Sequence, residues 1–263
     1  MSDGAALAVW MGETRVGTLW REAGGALHFA YTSEYRARPD AIPLSLSLPL
    51  SHDGAFVEGP ARLFFANLLP EGAQRAMLAR RFGLSERNDF GLLAEIGGDC
   101  AGALSVLPEG AAPDHADGYR PVDRPALQEA LSRLPRQPLL AGESGVRLSL
   151  AGAQAKLPVW YRDGEFRLPT GGASTHILKP PIEGSDGRFR GSVHNEAFVM
   201  RLARAAGLPV PAVAVVDLEP AALLVGRYDR VMTPDGRVRR LHQEDFCQAL
   251  NVAPDQKYEA DGG

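Results

Sequence analysis

The sequence predicts an α+β fold in which a mixed β/α N-terminal subdomain precedes an antiparallel sheet that carries one long helix. Two observations predict it. Strand-like alternation occurs in both halves of the chain, beginning with a hairpin pattern at residues 7–20, and helical apolar spacing separates these stretches. The 263 residues, 45% of them hydrophobic and 23% charged, are enough for two packed domains.

Charge and cysteine content exclude several classes of protein. The net charge of −4 argues against intrinsic binding to nucleic acid or to an anionic membrane surface. Two distant cysteines, Cys100 and Cys247, predict neither a disulfide framework nor a cysteine zinc site. No targeting segment and no uncharged apolar run of 18 residues occurs, so we expect a cytoplasmic protein without a membrane contact.

We assign the first domain to residues 1–108. Pro70 interrupts one helical pattern, and Gly83 is positioned to end the next. The apolar spacing predicts, in order, a hairpin, an edge strand or extended stretch, a helical pair, a short helix and a strand, at residues 7–20, 42–50, 61–82, 90–96 and 102–107.

Residues 109–121 are rich in Gly, Ala, Pro, Asp and His and have no periodicity, so we predict a linker there. The second domain then covers residues 122–263 and begins with a helix at about 124–134. A twisted antiparallel sheet follows, with strands at 146–150, 157–161, 165–168, 176–179, 212–218 and 222–226. A last helix is predicted at 243–250.

One long helix is predicted between the fourth and fifth of these strands, at residues 195–206. Asn195 is expected to cap its N-terminus, and Gly207 to end it. Phe198, Val199, Leu202 and Ala206 recur at helical spacing and lie on one face of this helix.

The segment at residues 149–156 reads Ser-Leu-Ala-Gly-Ala-Gln-Ala-Lys and joins two predicted strands. Small side chains let backbone N–H groups approach phosphate oxygens, which makes a phosphate-binding loop one interpretation. A simple tight turn is the commoner meaning of such a segment taken alone.

Lys179 and Glu196 give that loop a context, because the lysine ends a predicted strand and the glutamate begins the next helix. In protein kinases a strand lysine grips the α- and β-phosphates, a helix glutamate holds the lysine, and a small-residue loop precedes both. Taken singly, an exposed strand lysine and a helix-dipole glutamate are the simpler interpretations. The shared order of loop, lysine and glutamate favours a protein-kinase-like small lobe with an αC-like helix.

These features belong to a wider set of motifs, and with them the chain resembles the HipA family of bacterial Ser/Thr kinase toxins over nearly its whole length. The motifs of the first domain are PLSLSLPL at 43–50, FANLLPE at 65–71 and LAEIGGD at 93–99. Those of the second are SLAGAQAK at 149–156, THILK at 175–179, NE at 195–196, RYDR at 227–230 and QEDFCQAL at 243–250.

The resemblance implies a nucleotide site. Lys179 would contact the ATP phosphates, with Glu196 as its partner. The phosphate loop would consist of Ala151, Gly152, Ala153, Gln154, Ala155 and Lys156. The backbone of a hinge strand, Gly226, Arg227 and Tyr228, would meet adenine, with Asp229 and Arg230 in structural roles beside it. Position 226 is a glutamate in most of the family, so the side-chain contact of that glutamate is lost here.

Ser149 matches the serine that members of this family phosphorylate on themselves, an event associated with expulsion of the phosphate loop. The physical logic is that nearly two added negative charges repel bound phosphate and compete for the same amides. Without the resemblance, an ordinary strand serine would be the preferred interpretation.

The catalytic groups of a protein kinase are not recognisable in this sequence. A kinase needs an Asp, an Asn five residues later and a further Asp for Mg²⁺, and no Asp lies five residues before any of the four asparagines. We therefore expect no catalytic residue and no metal ligand within the chain. The catalytic Asp would lie beyond Gly263, in a C-terminal helical lobe that we expect to be absent.

The function implied is that of a kinase toxin using ATP and Mg²⁺ to phosphorylate Ser or Thr of a protein of the translation machinery, with an aminoacyl-tRNA synthetase as one possible target. The partner implied is a HipB-like helix-turn-helix antitoxin, which would mediate any contact with DNA. The alternative is an inactive fragment or pseudokinase-like module that binds nucleotide or antitoxin and transfers nothing.

Overall fold

The computed structural model describes residues 5–113, 118–182 and 191–259. The strands are β1 (Ala6–Met11), β2 (Thr14–Arg21), β3 (Leu27–Tyr31), β4 (Phe56–Val57), β5 (Leu104–Pro108), β6 (Tyr119–Val122), β7 (Leu157–Arg162), β8 (Glu165–Pro169), β9 (His176–Lys179), β10 (Val213–Val216), β11 (Ala222–Gly226), β12 (Arg230–Met232) and β13 (Val238–Arg240). The helices are α1 (Ser33–Arg36), α2 (Gly59–Ala66), α3 (Gly72–Phe82), α4 (Asp89–Ile96), α5 (Arg124–Arg133), α6 (Ser192–Ala205) and α7 (Phe246–Leu250). None of these helices is long and apolar enough to cross a membrane.

The N-terminal domain is a five-stranded antiparallel sheet, in the order β4-β3-β2-β1-β5, packed against helices. Phe29 of β3 and Phe64 and Phe65 of α2 are fully buried in its core. Gly17 of β2 is required by this packing, because a Cβ there would lie 2.4 Å from both the carbonyl oxygen of Ala30 and the ring of Phe29. The predicted hairpin, helical pair, short helix and final strand are all confirmed.

The second sheet has six antiparallel strands in the order β10-β11-β9-β7-β8-β6. Successive residues of a strand point to opposite faces, and β11 shows this clearly. Leu224 joins the buried cluster that includes Leu127 and Leu131 of α5. Its neighbour Leu223 packs with Val193 and Ala197 of α6. The sheet therefore separates α5 from α6, and the predicted antiparallel sheet with one long helix is confirmed.

The predicted linker at residues 109–121 is wrong at its C-terminal end. Residues 119–121 belong to β6, which pairs with β8 at the edge of the second sheet. The Tyr119 hydroxyl also donates to the carbonyl of Ala173 at 3.0 Å. A strand that follows a Gly- and Pro-rich stretch directly, and that itself contains Pro121, carries no alternation by which the sequence could reveal it.

Two predicted strands are also wrong. Residues 42–50 form turns with a single bridge between Ser45 and Leu48, which buries Leu44 and Leu48 and leaves Leu46 exposed. Residues 146–150 form only one bridge, between Leu148 and Asp99 of the N-terminal domain. In both segments at least two leucines, Leu44 and Leu48 or Leu148 and Leu150, are buried against neighbouring parts of the chain without joining a sheet.

Helix α6 begins three residues earlier than predicted, with Gly191 as its N-cap, so Asn195 lies inside the helix. The apolar face that the sequence shows is not the face that packs on the sheet. Val193 and Ala197 are buried, whereas Phe198, Val199 and Leu202 are 64%, 51% and 56% exposed. Apolar spacing identifies a helix but does not say which of two apolar stripes meets the sheet.

Candidate functional site

Lys179 and Glu196 form an ion pair, with 2.6 Å between Nζ and Oε1. The lysine ends β9 and is paired in register with Leu223, whose side chain packs with α6. Glu196 lies in the first half of α6, so the two side chains meet on one face of the sheet. Both are partly buried, which strengthens their attraction relative to an exposed pair. The predicted partners are thus in contact.

The segment at residues 151–156 forms a turn-rich loop before β7. The Lys156 ammonium folds back and donates to the carbonyl of Ala151 at 2.5 Å. Gly152 has φ +104°, and a Cβ at that position would lie 2.7 Å from Lys156 Nζ. Glycine is therefore favoured by the backbone conformation, whereas the Lys156 ammonium, at the end of a flexible side chain, could move aside. The loop combines small side chains with an internal cation, as a phosphate cradle requires.

The N-terminal domain contributes charges beside this loop. Pro70 forms a backbone bridge with Gly152. The next residue, Glu71, forms an ion pair with Lys257, with 3.0 Å between Oε1 and Nζ. Burial, and then the nearby charge of Lys179, lower the pKa of Lys156 to about 8. Excess positive charge at this loop is relieved by a bound anion. The loop at residues 151–156 therefore stays a predicted phosphate-binding loop, with the Lys156 ammonium as its cation.

Ser149 precedes the loop and is completely buried. Its hydroxyl donates to the carbonyl of Leu68 at 2.8 Å. Its amide donates to the carbonyl of Asp99 at 3.1 Å. Both acceptors belong to the N-terminal domain, so Ser149 connects the two domains in this conformation.

Two of the three predicted hinge residues, Gly226 and Arg227, use their backbone amides in hydrogen bonds within the protein. The amides of Gly226 and Arg227 donate to the carbonyls of Ala212 and Thr175, at 2.8 and 2.9 Å. Both amides are therefore engaged within the protein in this conformation, and the adenine contact of the hinge backbone stays a prediction. The guanidinium of Arg227 is buried and does not face the Lys179 pair, whereas Tyr228 is 69% exposed. Tyr228 is the hinge residue that remains accessible to a ligand.

A buried charged cluster lies between the domains, formed by Asp99, Arg227, Asp229, Arg230 and Arg240. Each of these side chains is at most 5% exposed. The sequence assigned structural roles to Asp229 and Arg230 but missed Asp99 and Arg240. Asp99 is the last residue of the motif LAEIGGD at 93–99, and this motif was the one signal by which the sequence could have identified it. Its arginine partners are far away in the sequence.

A cavity beside the loop has a volume of about 520 Å³. Its lining includes Ala153, Gln154 and Ala155 of the loop, Pro180, and residues of α5. Lys179 is not part of this lining, because its side chain points to α6 on the other side of the sheet. Phosphate binding by Lys179 therefore concerns the α6 side of the sheet rather than this cavity.

No group of three potential metal ligands among His, Cys, Asp and Glu side chains occurs within residues 5–113, 118–182 and 191–259. The chemistry that this arrangement can perform is the binding and orientation of phosphate groups.

Family comparisons agree with this geometry. The family model of the HipA N-terminal domain matches residues 7–107. That of the HipA-like C-terminal domain matches residues 148–263. The expectation that the C-terminal part of the fold is absent is therefore wrong. The family's C-terminal domain includes the strands β7 to β13 and α6, so it begins at the phosphate loop and not at a later helical lobe.

Individual relatives are also similar along nearly the whole chain. "Putative kinase Y4mE" of Sinorhizobium fredii is 46% identical, over 98% of this chain and 62% of its own length. The serine/threonine-protein kinase toxin HipA of Shewanella oneidensis is 34% identical, over 98% of this chain and 58% of its own length. The chain thus spans about three fifths of the length of these relatives.

A solved structure from Shewanella oneidensis MR-1, the toxin–antitoxin complex of HipA, HipB and its operator DNA, superposes with a TM-score of 0.75 at 33% identity. The match covers 98% of this chain and 59% of the solved one. Two family domains in order, the relatives and the shared three-dimensional structure lead to one conclusion. The chain belongs to the HipA family.

Proposed function

We propose that this chain is the nucleotide-binding part of a HipA-like Ser/Thr protein kinase toxin, which transfers the γ-phosphate of ATP to Ser or Thr of a protein. The observation that carries the proposal is the 2.6 Å pair between Lys179 and Glu196 beside the small-residue loop. This is the arrangement by which kinases hold the phosphates of ATP.

Each group has a defined task in this proposal. Glu196 fixes the Lys179 ammonium in place, so that a bound phosphate meets an oriented cation rather than a mobile one. The loop at 151–156 supplies backbone amides, and Lys156 exchanges its Ala151 carbonyl for a phosphate oxygen. Tyr228 and its backbone lie at the accessible end of the hinge. ATP brings the transferable phosphoryl group and its Mg²⁺ neutralises the developing charge.

Autophosphorylation at Ser149 is part of the proposal. Because the hydroxyl is buried and donates to Leu68, no acceptor geometry is available until this segment leaves the N-terminal domain. A phosphate with nearly two negative charges does not fit back into that site. Phosphorylation would therefore hold the segment outside and separate the loop from Lys179.

The proposed partners are a HipB-like antitoxin and a target in the translation machinery, such as an aminoacyl-tRNA synthetase. Support for the first comes from the Shewanella oneidensis complex, which contains HipA, HipB and operator DNA. The net charge of −4 favours contact with DNA through such a partner over direct binding.

The second candidate is a module that binds nucleotide or antitoxin without catalysis. The observation that favours it is chemical: the chain contains no Asp five residues before an Asn, and hence no recognisable catalytic loop. Both candidates require the same nucleotide site.

The test is calorimetric titration of the purified protein with Mg-ATP, followed by intact mass after incubation. We expect Lys179→Ala to weaken ATP binding at least tenfold and Glu196→Gln to weaken it less. A control is Arg204→Ala, which removes a cation from the exposed part of the same helix. Absence of ATP binding by the wild-type protein would contradict the proposal.

Mass analysis of the full-length gene product, incubated with Mg-ATP, separates the two candidates. A gain of one phosphate that disappears in Lys179→Ala and in Ser149→Ala supports the kinase with Ser149 as its site. Tight ATP binding without any gain in mass supports the binding module instead.

A further inference from the structure

Asp99 of the N-terminal domain is hydrogen-bonded through its backbone to the segment that leads into the candidate phosphate loop. Its amide donates to the carbonyl of Arg147 at 2.9 Å, and its carbonyl accepts from the amide of Ser149 at 3.1 Å. Leu148, between them, is the bridge partner of Asp99. The loop at 151–156 begins two residues after this attachment.

The carboxylate of Asp99 contacts two further segments of the second domain, one before β9 and one after β11. It accepts from the amide of Ser174, just before β9, at 3.0 Å. It also accepts from Arg230, just after the hinge, at 2.9 Å and pairs with Arg227 at 3.4 Å. Arg240 of β13 approaches it at 3.1 Å. One buried side chain therefore contacts the segments before β9 and after β11.

The charges make this attachment strong. Burial by itself would raise the pKa of Asp99, but Arg240, Arg230 and Arg227 together lower it below its ordinary value. The carboxylate is thus ionised, and the three arginines depend on it and on Asp229 for their compensation. A neutral side chain of the same shape would leave these cations repelling one another.

We propose that Asp99 is a positioning residue for nucleotide binding, which fixes the phosphate loop relative to the hinge and to β9, the strand of Lys179. The proposal rests on the proposed function, since it concerns the same nucleotide site. Asp99 itself is buried and does not touch the ligand.

The test compares ATP affinity in Asp99→Asn and Asp89→Asn. Asp89 is an equally buried aspartate paired with Arg62 and Arg75, and all three lie within the N-terminal domain. Both variants lose a buried charge, but only Asp99→Asn removes the ion pairs with the hinge-side arginines that hold Asp99, and with it its backbone bonds to the loop segment, in place. We expect ATP binding to weaken at least tenfold in Asp99→Asn and to stay within twofold of wild type in Asp89→Asn, measured well below both melting temperatures.

Hydrogen exchange of the wild-type protein gives a second readout that does not depend on a folded variant. ATP should slow the exchange of the Ser149 and Ser174 amides, both of which donate to Asp99. The Gly91 amide, which donates to Asn88 within the N-terminal domain, should not change.

The outcomes are distinct. ATP binding by a folded Asp99→Asn variant within twofold of wild type, or unchanged exchange at Ser149 and Ser174 on ATP binding, overturns the positioning role and leaves the nucleotide site intact. A wild-type protein that binds no ATP overturns the proposed function, and the positioning role with it.

Discussion

The hydroxyl of Ser149 donates a hydrogen bond to the backbone carbonyl of Leu68, 2.8 Å away, in the interior between the two domains. The residue that the proposed function requires to become a phosphate acceptor is thus part of the contact that holds the phosphate loop against the N-terminal domain. Burial and modification of Ser149 are mutually exclusive, which makes this contact a natural point of control.

Removing that hydroxyl should destabilise the protein. Ser149→Ala leaves the buried carbonyl of Leu68 without a donor, and we expect a loss of about 1–3 kcal/mol in the free energy of unfolding. Urea denaturation measures it. The control is Ser132→Ala, whose exposed hydroxyl bonds only to Glu129 one turn away. Equal stability of the two variants would contradict the role of the Ser149 contact.

Lys156 and Lys257 should make the free energy of unfolding depend on pH in opposite directions. Burial, and then Lys179, lower the pKa of Lys156 from 10.5 to about 8. The folded state therefore carries a charging penalty that is complete below pH 8 and disappears as the pH rises toward 10.5. We expect the free energy of unfolding of the wild type, minus that of Lys156→Met, to rise over this range.

Lys257 provides the contrast. Burial opposes its charge, but the hydrogen bond that Lys257 donates to the Glu71 carboxylate raises the pKa of Lys257 above 10.5. Its contribution to stability is therefore present below pH 10.5 and is lost as the pH rises through the folded-state pKa. Stability differences between wild type and Lys257→Met should fall at alkaline pH. If the stability differences of the Lys156→Met and Lys257→Met variants changed with pH in the same direction, the opposite pKa shifts of the two lysines would be contradicted.

Replacing a valine by alanine on each face of α6 should show which face is packed, by its effect on the free energy of unfolding. Val193 is 4% exposed and packs with Leu223, whereas Val199 is 51% exposed. We expect Val193→Ala to cost about 2 kcal/mol and Val199→Ala to stay within about 0.5 kcal/mol of wild type. Thermal and urea unfolding measure both. A larger loss at Val199 would contradict the packed face described above.

Gly17 tests the packing of the N-terminal sheet. A methyl group at that position meets the carbonyl of Ala30 and the ring of Phe29, so Gly17→Ala should cost roughly 1–3 kcal/mol. Gly24→Ala is the control, since a Cβ there has nothing within 4 Å. Calorimetric melting should show a lower Tm for Gly17→Ala alone; similar Tm values would contradict the overlap.

Local signals predicted the local features well. Turn residues and periodicity identified most helices and strands, because caps such as Gly83 and turns such as Gly164 act through neighbouring residues. The Lys179 and Glu196 pair was also within reach, because strand β9 and helix α6 follow each other along the chain with only one connection between them.

Features that depend on the meeting of the two domains were not predictable. Residues 146–150 alternate like a strand, but their partner is Asp99 rather than a sheet. The cluster around Asp99 requires arginines from β12 and β13, and nothing local to any of them shows the others. Likewise, the buried state of Ser149 follows from Leu68, which lies in a different domain.

The chain contains three lysines in all, Lys156, Lys179 and Lys257, and each takes part in the charged surroundings of the phosphate loop. Amine-reactive reagents therefore have only these side chains and the terminal amine to modify. Acylation followed by peptide mass mapping would therefore measure the exposure of each lysine without an engineered label. The modified lysines themselves would record how far a bound ligand shields each ammonium from solution.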